Sequence, residues 1–255
     1  MIFESHAHYD DDAFDEDRES LIESLQENRI EYVINVGASM ESTEQTYELA
    51  KKYPFIYAAV GVHPSDTFPL TDKDMNRLKE LAADEKVVAI GEIGLDYYWD
   101  EPDREIQKKW FKRQIELAKE VDLPIIIHSR EAAKDTLDIL HEYDTGNYKG
   151  VMHCFSYSPE IAREVVKMGF YIGVGGVCTY KNAKKLVEVV EEIPLEHILL
   201  ETDCPYLTPV PYRGKRNSSL YLPYVVEKIA EIKGVTTDEV ERVTYENAMK
   251  LFLNK

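Results

Sequence analysis

Along the chain, short runs of apolar and β-branched residues alternate with longer segments in which apolar positions recur every three or four residues. The short runs fall at residues 2–4, 32–36, 56–62, 87–92, 124–128, 151–154, 171–174 and 198–203. Several, such as Pro124-Ile125-Ile126-Ile127-His128, are almost continuously hydrophobic, as expected of a parallel strand covered on both faces. Helical spacing fills the gaps, at residues 16–28, 41–52, 72–83, 104–121, 131–143, 159–168 and 181–191. Within 104–121, Phe111, Ile115 and Ala118 lie at i, i+4 and i+7, with charges on the other faces. Two more helices are predicted after the last strand, at 219–232 and 238–253, the second opening on Thr236-Thr237-Asp238-Glu239, a capping-box pattern. Strict alternation predicts an α/β protein, and eight strand runs favour a closed (β/α)8 TIM-type barrel with extra C-terminal helices. An open seven-stranded sheet is the alternative if one run does not form. No linker, low-complexity stretch or clean repeat interrupts the pattern, so a single domain over residues 1–255 is expected.

The length of 255 residues agrees with this, being close to the roughly 250 typical of one such barrel. The net charge of −18 changes the picture more. It argues against a protein that coats nucleic acid through a broad basic face, and predicts weak, salt-sensitive affinity for long duplex DNA. It leaves room for an enzyme that grips one strand end in a small pocket where metal ions supply positive charge. Cys154, Cys178 and Cys204 have neither CxxC nor disulfide-framework spacing, which points to a reducing compartment. The N-terminal residues do not read as a signal peptide, and no apolar run approaches the ~20 residues of a membrane helix. A cytoplasmic protein without membrane contact or obligate protein partner is therefore expected.

The candidate chemistry lies at the strand ends. His6 and His8 follow the first run, Glu92 closes the fourth, His128 the fifth, His153 lies at the end of the sixth, and Asp203 closes the eighth. In a TIM barrel the carboxyl ends of all strands converge on one face, so residues spread from position 6 to position 203 would point into a single bowl. Any one of these histidines alone is more often a hydrogen-bonded structural residue; their joint placement favours a metal site. Four imidazoles and two carboxylates suit Zn²⁺, Mn²⁺, Fe²⁺ or Co²⁺ better than an all-oxygen Mg²⁺ cage. Six ligands exceed the three that one open catalytic zinc usually takes from protein. Two divalent ions sharing Glu92 accommodate them better. His141 and His197 are assigned no chemistry.

With these residues placed, the chain resembles the TatD family of metal-dependent deoxyribonucleases among the amidohydrolase-like barrels. The resemblance runs end to end, through Ser5-His6-Ala7-His8, Gly61-Val62-His63-Pro64, Gly91-Glu92-Ile93-Gly94-Leu95-Asp96-Tyr97, the PIIIHSR segment ending at Arg130, His153-Cys154-Phe155-Ser156, LETDCPYL ending at Leu207, and Arg213-Gly214-Lys215-Arg216-Asn217. HxH alone is unspecific; GEIGLDYY, LETDCPYL and RGKRN together are highly specific. The resemblance implies a (β/α)8 barrel, one or two divalent metals (Mn, Mg, Zn, Fe or Co), and activity directed at the 3′ end of DNA. By motif position, one ion would be held by His6, His8, Glu92 and Asp203, the other by Glu92, His128 and His153. Glu4 departs from the pattern, which usually carries Asp there. A strand-4 glutamate in place of a carboxylated lysine favours this branch over other binuclear amidohydrolases.

As a reaction, two ions would lower the pKa of a water from 15.7 towards ~7. Asp203 could take up the water's proton, and with Glu92 it is the candidate catalytic residue. For the substrate, a single-stranded DNA 3′ end, Arg130 could pair with phosphate. Arg213, Lys215 and Arg216 form a compact basic cluster near the strand-8 loop, and His63 could touch substrate or a leaving group. Glu201 could orient interior groups, and Asp96, Tyr97 and Tyr98 could line the cleft. An amidohydrolase or aminoacyl-ester deacylase on a small or tRNA-linked substrate is the rival enzyme, and a non-catalytic barrel the third reading.

Overall fold

A computed structural model describes residues 1–99, 101–143 and 149–253. Its strands are β1 (Ile2–Ala7), β2 (Ile30–Val36), β3 (Ile56–Val60), β4 (Val87–Asp96), β5 (Ile125–Arg130), β6 (Gly150–Met152), β7 (Tyr171–Val174) and β8 (Ile198–Leu200). Between them lie α1 (Arg18–Leu25), α2 (Met40–Lys52), α3 (Asp72–Leu81), α4 (Arg104–Val121), α5 (Ala133–Tyr143), α6 (Pro159–Lys167) and α7 (Lys184–Glu192). After β8 come α8 (Leu222–Lys233) and α9 (Thr237–Ala248). The strands pair in chain order, every pair parallel. The ring nearly closes between β1 and the segment after β8, where Ala7 bridges Cys204 and the Asp203 amide donates to the His6 carbonyl at 3.0 Å. This is the (β/α)8 TIM-type barrel expected from the pattern.

Alternate strand residues divide between two apolar clusters, as a period of two requires. Ile125 and Ile127 pack outward with the helices, whereas Phe3, Ile34, Val88, Ile126, Val151 and Leu199 share an inner cluster. That cluster lies early in the strands and takes in Leu251 and Phe252 from the turn after α9. The C-terminal segment thus plugs the end of the barrel opposite the strands' carboxyl ends. Burying one such phenylalanine contributes about 1.5–3 kcal/mol, so the tail is part of the core. α9 opens with half of the expected capping box: the Thr236 hydroxyl accepts from the Glu239 amide at 3.2 Å. Cys154, Cys178 and Cys204 are all unpaired. Among the described residues no helix is long and apolar enough to cross a membrane.

Several boundaries differ from the pattern's reading, and the differences bear on the site. β1 continues through His6, so only His8 of the pair follows the strand. β4 does not stop at Glu92 but runs on to Asp96. The glycines that made it look finished let β5 approach: Gly94 has φ 149°, and a Cβ there would fall 1.9 Å from the His128 carbonyl oxygen. β5 likewise extends to Arg130, which is the last strand residue rather than a loop residue. His153 and Asp203 lie just beyond β6 and β8.

Candidate metal centre

Six side chains from five of the strands meet at the carboxyl ends of the barrel. Glu92 stands at the centre, buried in the middle of β4. Its Oε2 lies 3.5 Å from His6 Nε2 and 3.8 Å from His8 Nε2. Its Oε1 lies 2.7 Å from His128 Nδ1 and 2.7 Å from His153 Nε2. One carboxylate thus presents a different oxygen to each of two histidine pairs. Asp203 completes the first group, with Oδ1 3.4 Å from His8 Nε2 and 3.7 Å from His6 Nε2. All six expected ligands are therefore brought together.

The surroundings fix how these rings are presented. His8 Nδ1 is 2.8 Å from the Val36 carbonyl, so the ring donates there and leaves the Nε2 lone pair for the centre. His6 lies parallel to His153, ring centroids 3.9 Å apart. Asp96, three residues along β4 from Ile93 and at the strand's end, places Oδ2 3.1 Å from His128 Nε2. Its own backbone is clamped by Gln107 of α4, whose side-chain oxygen accepts from the Asp96 amide at 2.8 Å and whose amide donates to the Asp96 carbonyl at 3.0 Å. Gln114 treats Val62 in the same way, at 2.8 and 3.0 Å, which sets the position of the neighbouring His63. His63 Nε2 is 3.9 Å from Glu92 Oε1, and its ring centroid is 4.3 Å from that of His128.

Could these residues hold a cation? Among the described residues, three sets of potential ligand atoms lie within 4.8 Å of one another: His6, His8 and Asp203; His6, His153 and Glu201; and His63, Glu92 and His128. His6 Nε2 and His8 Nε2 approach to 3.1 Å, and His128 Nδ1 and His153 Nε2 to 3.4 Å. Imidazole nitrogens and carboxylate oxygens crowd here, and among the described residues Arg130 is the only basic side chain besides the histidines lining the cleft. The Nδ1 atoms of His6 and His153 are buried with no hydrogen-bond partner. In the protein alone, protons must balance this charge. Burial opposes charge on His8, but the hydrogen bond to Asp203 outweighs it and raises the ring to about 9. Burial likewise opposes charge on His153, but Glu92 raises it to about 10. Burial and the neighbouring His153 instead lower His6 to about 4. A divalent cation supplies the same balance without a proton, so the donor set fits metal ions.

Two buried carboxylates frame the centre. Glu201 Oε1 accepts from the Cys154 amide at 2.6 Å and lies 3.9 Å from His153 Nδ1. Burial pushes Glu201 up to about 8. Glu4 accepts from the Thr202 amide and hydroxyl, from the Ser219 hydroxyl at 2.9 Å and from the His6 amide at 3.2 Å.

The cleft above the centre has a volume of about 860 Å³ and is lined by Asp10, Asp11, Asp12, Glu41, Trp99, Arg130 and Tyr206 besides the histidines and acids already described. Of the sequence-predicted substrate contacts, His63 and Arg130 line it. Arg213, Lys215 and Arg216 do not. Arg213 stacks over Tyr180, and Lys215 sits over Tyr212. Arg216 is engaged bidentately by Asp17 at 2.7 and 2.6 Å and donates to the Ala13 carbonyl. Of the basic cluster near β8, Arg216 thus ties its loop to the segment before α1. Asp96 lines the cleft as expected and in addition meets His128; residues 92, 94 and 96 share one face of β4, a run that its glycines interrupt in the sequence pattern.

The chain matches the family model described as TatD related DNase over residues 3–253. It is 50% identical over 252 residues to the metal-dependent hydrolase YabD of Bacillus subtilis, covering 99% of each chain. It is 33% identical over 245 residues to the 3′-5′ ssDNA/RNA exonuclease TatD of Cronobacter sakazakii, covering 94% of this chain and 93% of that one. The crystal structure of YJJV, a TatD homolog from Escherichia coli, superposes with a TM-score of 0.93 at 32% identity, covering 100% of this chain and 98% of that one. Together with a centre built from imidazoles and carboxylates at the barrel mouth, these matches place the chain in the TatD family, as a metal-dependent hydrolase.

Proposed function

We propose that the protein is a 3′-5′ exodeoxyribonuclease that hydrolyses phosphodiester bonds at an unpaired DNA 3′ end, using two divalent ions. One ion would be held by His6, His8, Glu92 and Asp203, and the other by Glu92, His128 and His153, with His63 and Asp96 beside the second. The observation that carries this reading is Glu92, whose two oxygens face two separate histidine pairs. Bound there, two ions would activate water for attack and take up charge developing on the phosphoryl oxygens. Asp203 directs Oδ1 at His8, leaving its other oxygen to accept the proton of the attacking water. Asp96 holds His128 through Nε2, so that Nδ1 faces Glu92. Arg130 lines the cleft and would pair with a substrate phosphate at the rim. The name of the Cronobacter relative supports a nucleic-acid substrate.

One observation favours a second reading, an amidohydrolase or aminoacyl-ester deacylase working at the same centre. The cleft carries Asp10, Asp11, Asp12 and Glu41, which repel phosphates. The test is a 5′-labelled single-stranded DNA oligonucleotide given to chelator-treated protein resupplied with Mn²⁺, Mg²⁺ or Zn²⁺, with Glu92→Ala beside it. A metal-dependent ladder shortening from the 3′ end, absent in Glu92→Ala, is the expected result. No cleavage with any metal, in protein that holds two ions, would move the assignment to ester or amide hydrolysis.

A further inference from the structure

The walls of the cleft differ in charge and in apolar character. Asp10, Asp11 and Asp12 follow β1, Glu41 follows β2, and Tyr206 follows β8 with its hydroxyl donating to Asp11 at 2.7 Å. Trp99 follows β4 and Arg130 ends β5. In a ring of eight strands in sequence order, β1 and β5 stand opposite each other. The acidic residues therefore occupy one side of the mouth, and Trp99 with Arg130 the other.

Trp99 and Arg130 are unusual for this molecule. Trp99 is 66% exposed, although it lines the cleft that holds the metal centre. Tyr98, 50% exposed, meets it edge to face at 5.0 Å. The Arg130 guanidinium lies over the Tyr98 ring, 3.8 Å from its centroid. In a chain with 48 acidic and 30 basic residues, Arg130 has no carboxylate partner among the described residues. An exposed indole braced by a tyrosine, next to a guanidinium with no carboxylate partner among the described residues, has the chemistry of a surface for stacking one base and pairing one phosphate.

We propose that Trp99, braced by Tyr98, is the stacking platform for an unpaired nucleobase upstream of the scissile bond, with Arg130 taking an adjacent phosphate. This rests on the nuclease reading and adds the origin of strand selectivity. A single strand can leave the centre along the Trp99–Arg130 side, whereas the complementary strand of a duplex end would lay its phosphates against Asp10, Asp11, Asp12 and Glu41. The indole needs a base face free of its partner, and the acidic wall excludes a second backbone.

The test measures binding and hydrolysis separately, on metal-loaded protein. Binding of a fluorescein-labelled oligothymidylate is followed by anisotropy for wild type, Trp99→Ala, Trp99→Phe, Arg130→Ala and a control, Phe68→Ala, whose side chain is 74% exposed but outside the cleft. Trp99→Ala should weaken binding about tenfold, in line with the loss of one base–aromatic stack, with Trp99→Phe recovering most of it. Phe68→Ala should stay within about twofold of wild type. A blunt duplex of the same length should bind less tightly than the single strand, and the gap should shrink in Trp99→Ala. Equal single-strand affinity in wild type and Trp99→Ala, or no wild-type binding, would overturn the platform. Binding that depends on Trp99 without hydrolysis by any metal form would uphold the platform and instead sink the nuclease assignment.

Discussion

The carboxylate of Glu4 on β1 accepts hydrogen bonds from both the backbone amide of Thr202, at 2.9 Å, and its hydroxyl, at 2.7 Å. This pair joins the first strand to the segment after the last, one residue before Asp203. The two ends of the chain's barrel are thereby held together directly beneath the centre. Glu4→Ala would strand several buried donors and leave a cavity, costing about 2–4 kcal/mol. Glu4→Gln, which keeps one acceptor oxygen, should cost less. Urea denaturation of the two variants measures the difference, and equal stability of Glu4→Ala and wild type would show that the seam is held elsewhere.

Metal uptake should release protons. In the protein without ions, His8 and His153 are held at about 9 and about 10, mainly through Asp203 and Glu92. A ligating imidazole must be neutral, so these protons leave as ions bind. Affinity should therefore rise with pH up to about 10. Calorimetric titration in buffers of different ionisation enthalpy should show on the order of one to two protons released per molecule near pH 7. Uptake without proton release would show that these rings are already neutral.

Arg130 and Arg216 should behave differently although both carry the same charge near the mouth. Arg130 lines the cleft, whereas Arg216 is occupied by Asp17 and the Ala13 carbonyl. Arg130→Ala is expected to raise KM for a DNA oligonucleotide about tenfold, the loss of one charge-assisted phosphate contact. Arg216→Ala should change KM less than about twofold and cost at most about 1 kcal/mol of stability, because its ion pair is partly in solvent. Steady-state kinetics with both variants decides; a larger KM effect from Arg216→Ala would return the basic loop to the substrate path.

Away from the centre, Asp84 gives a pH signature of its own. The Lys86 amide, Lys51 and Tyr47 hold its carboxyl at about 2, below the usual 3.8. Because the folded value is depressed, its contribution is complete above roughly pH 4 and is lost as pH falls through 2. Asp84→Asn should lower stability at pH 7 by on the order of 1 kcal/mol. The difference from wild type should fade towards pH 2. Thermal melts across that range would contradict this if the gap stayed constant.

Much of this molecule is determined by local pattern. Runs such as Ile125-Ile126-Ile127 suit a parallel strand covered on both faces, and eight runs in strict alternation favour the barrel over an open sheet. The barrel rule then sends His6, His8, Glu92, His128, His153 and Asp203 to one mouth, because every strand ends there. Periodicity does not carry distance, and distance decided the rest. That Glu92 Oε1 reaches His128 depends on how closely Gly94 lets β5 approach β4. Asp96 and His63 enter the centre because β4 outlasts its glycines and because Gln107 and Gln114 of α4 clamp the backbone at Asp96 and beside His63. Arg216 falls away from the cleft because Asp17, nearly two hundred residues earlier, neutralises it across space. Linear sequence specifies which groups can ionise, stack or ligate; only the folded chain settles which partner each one meets.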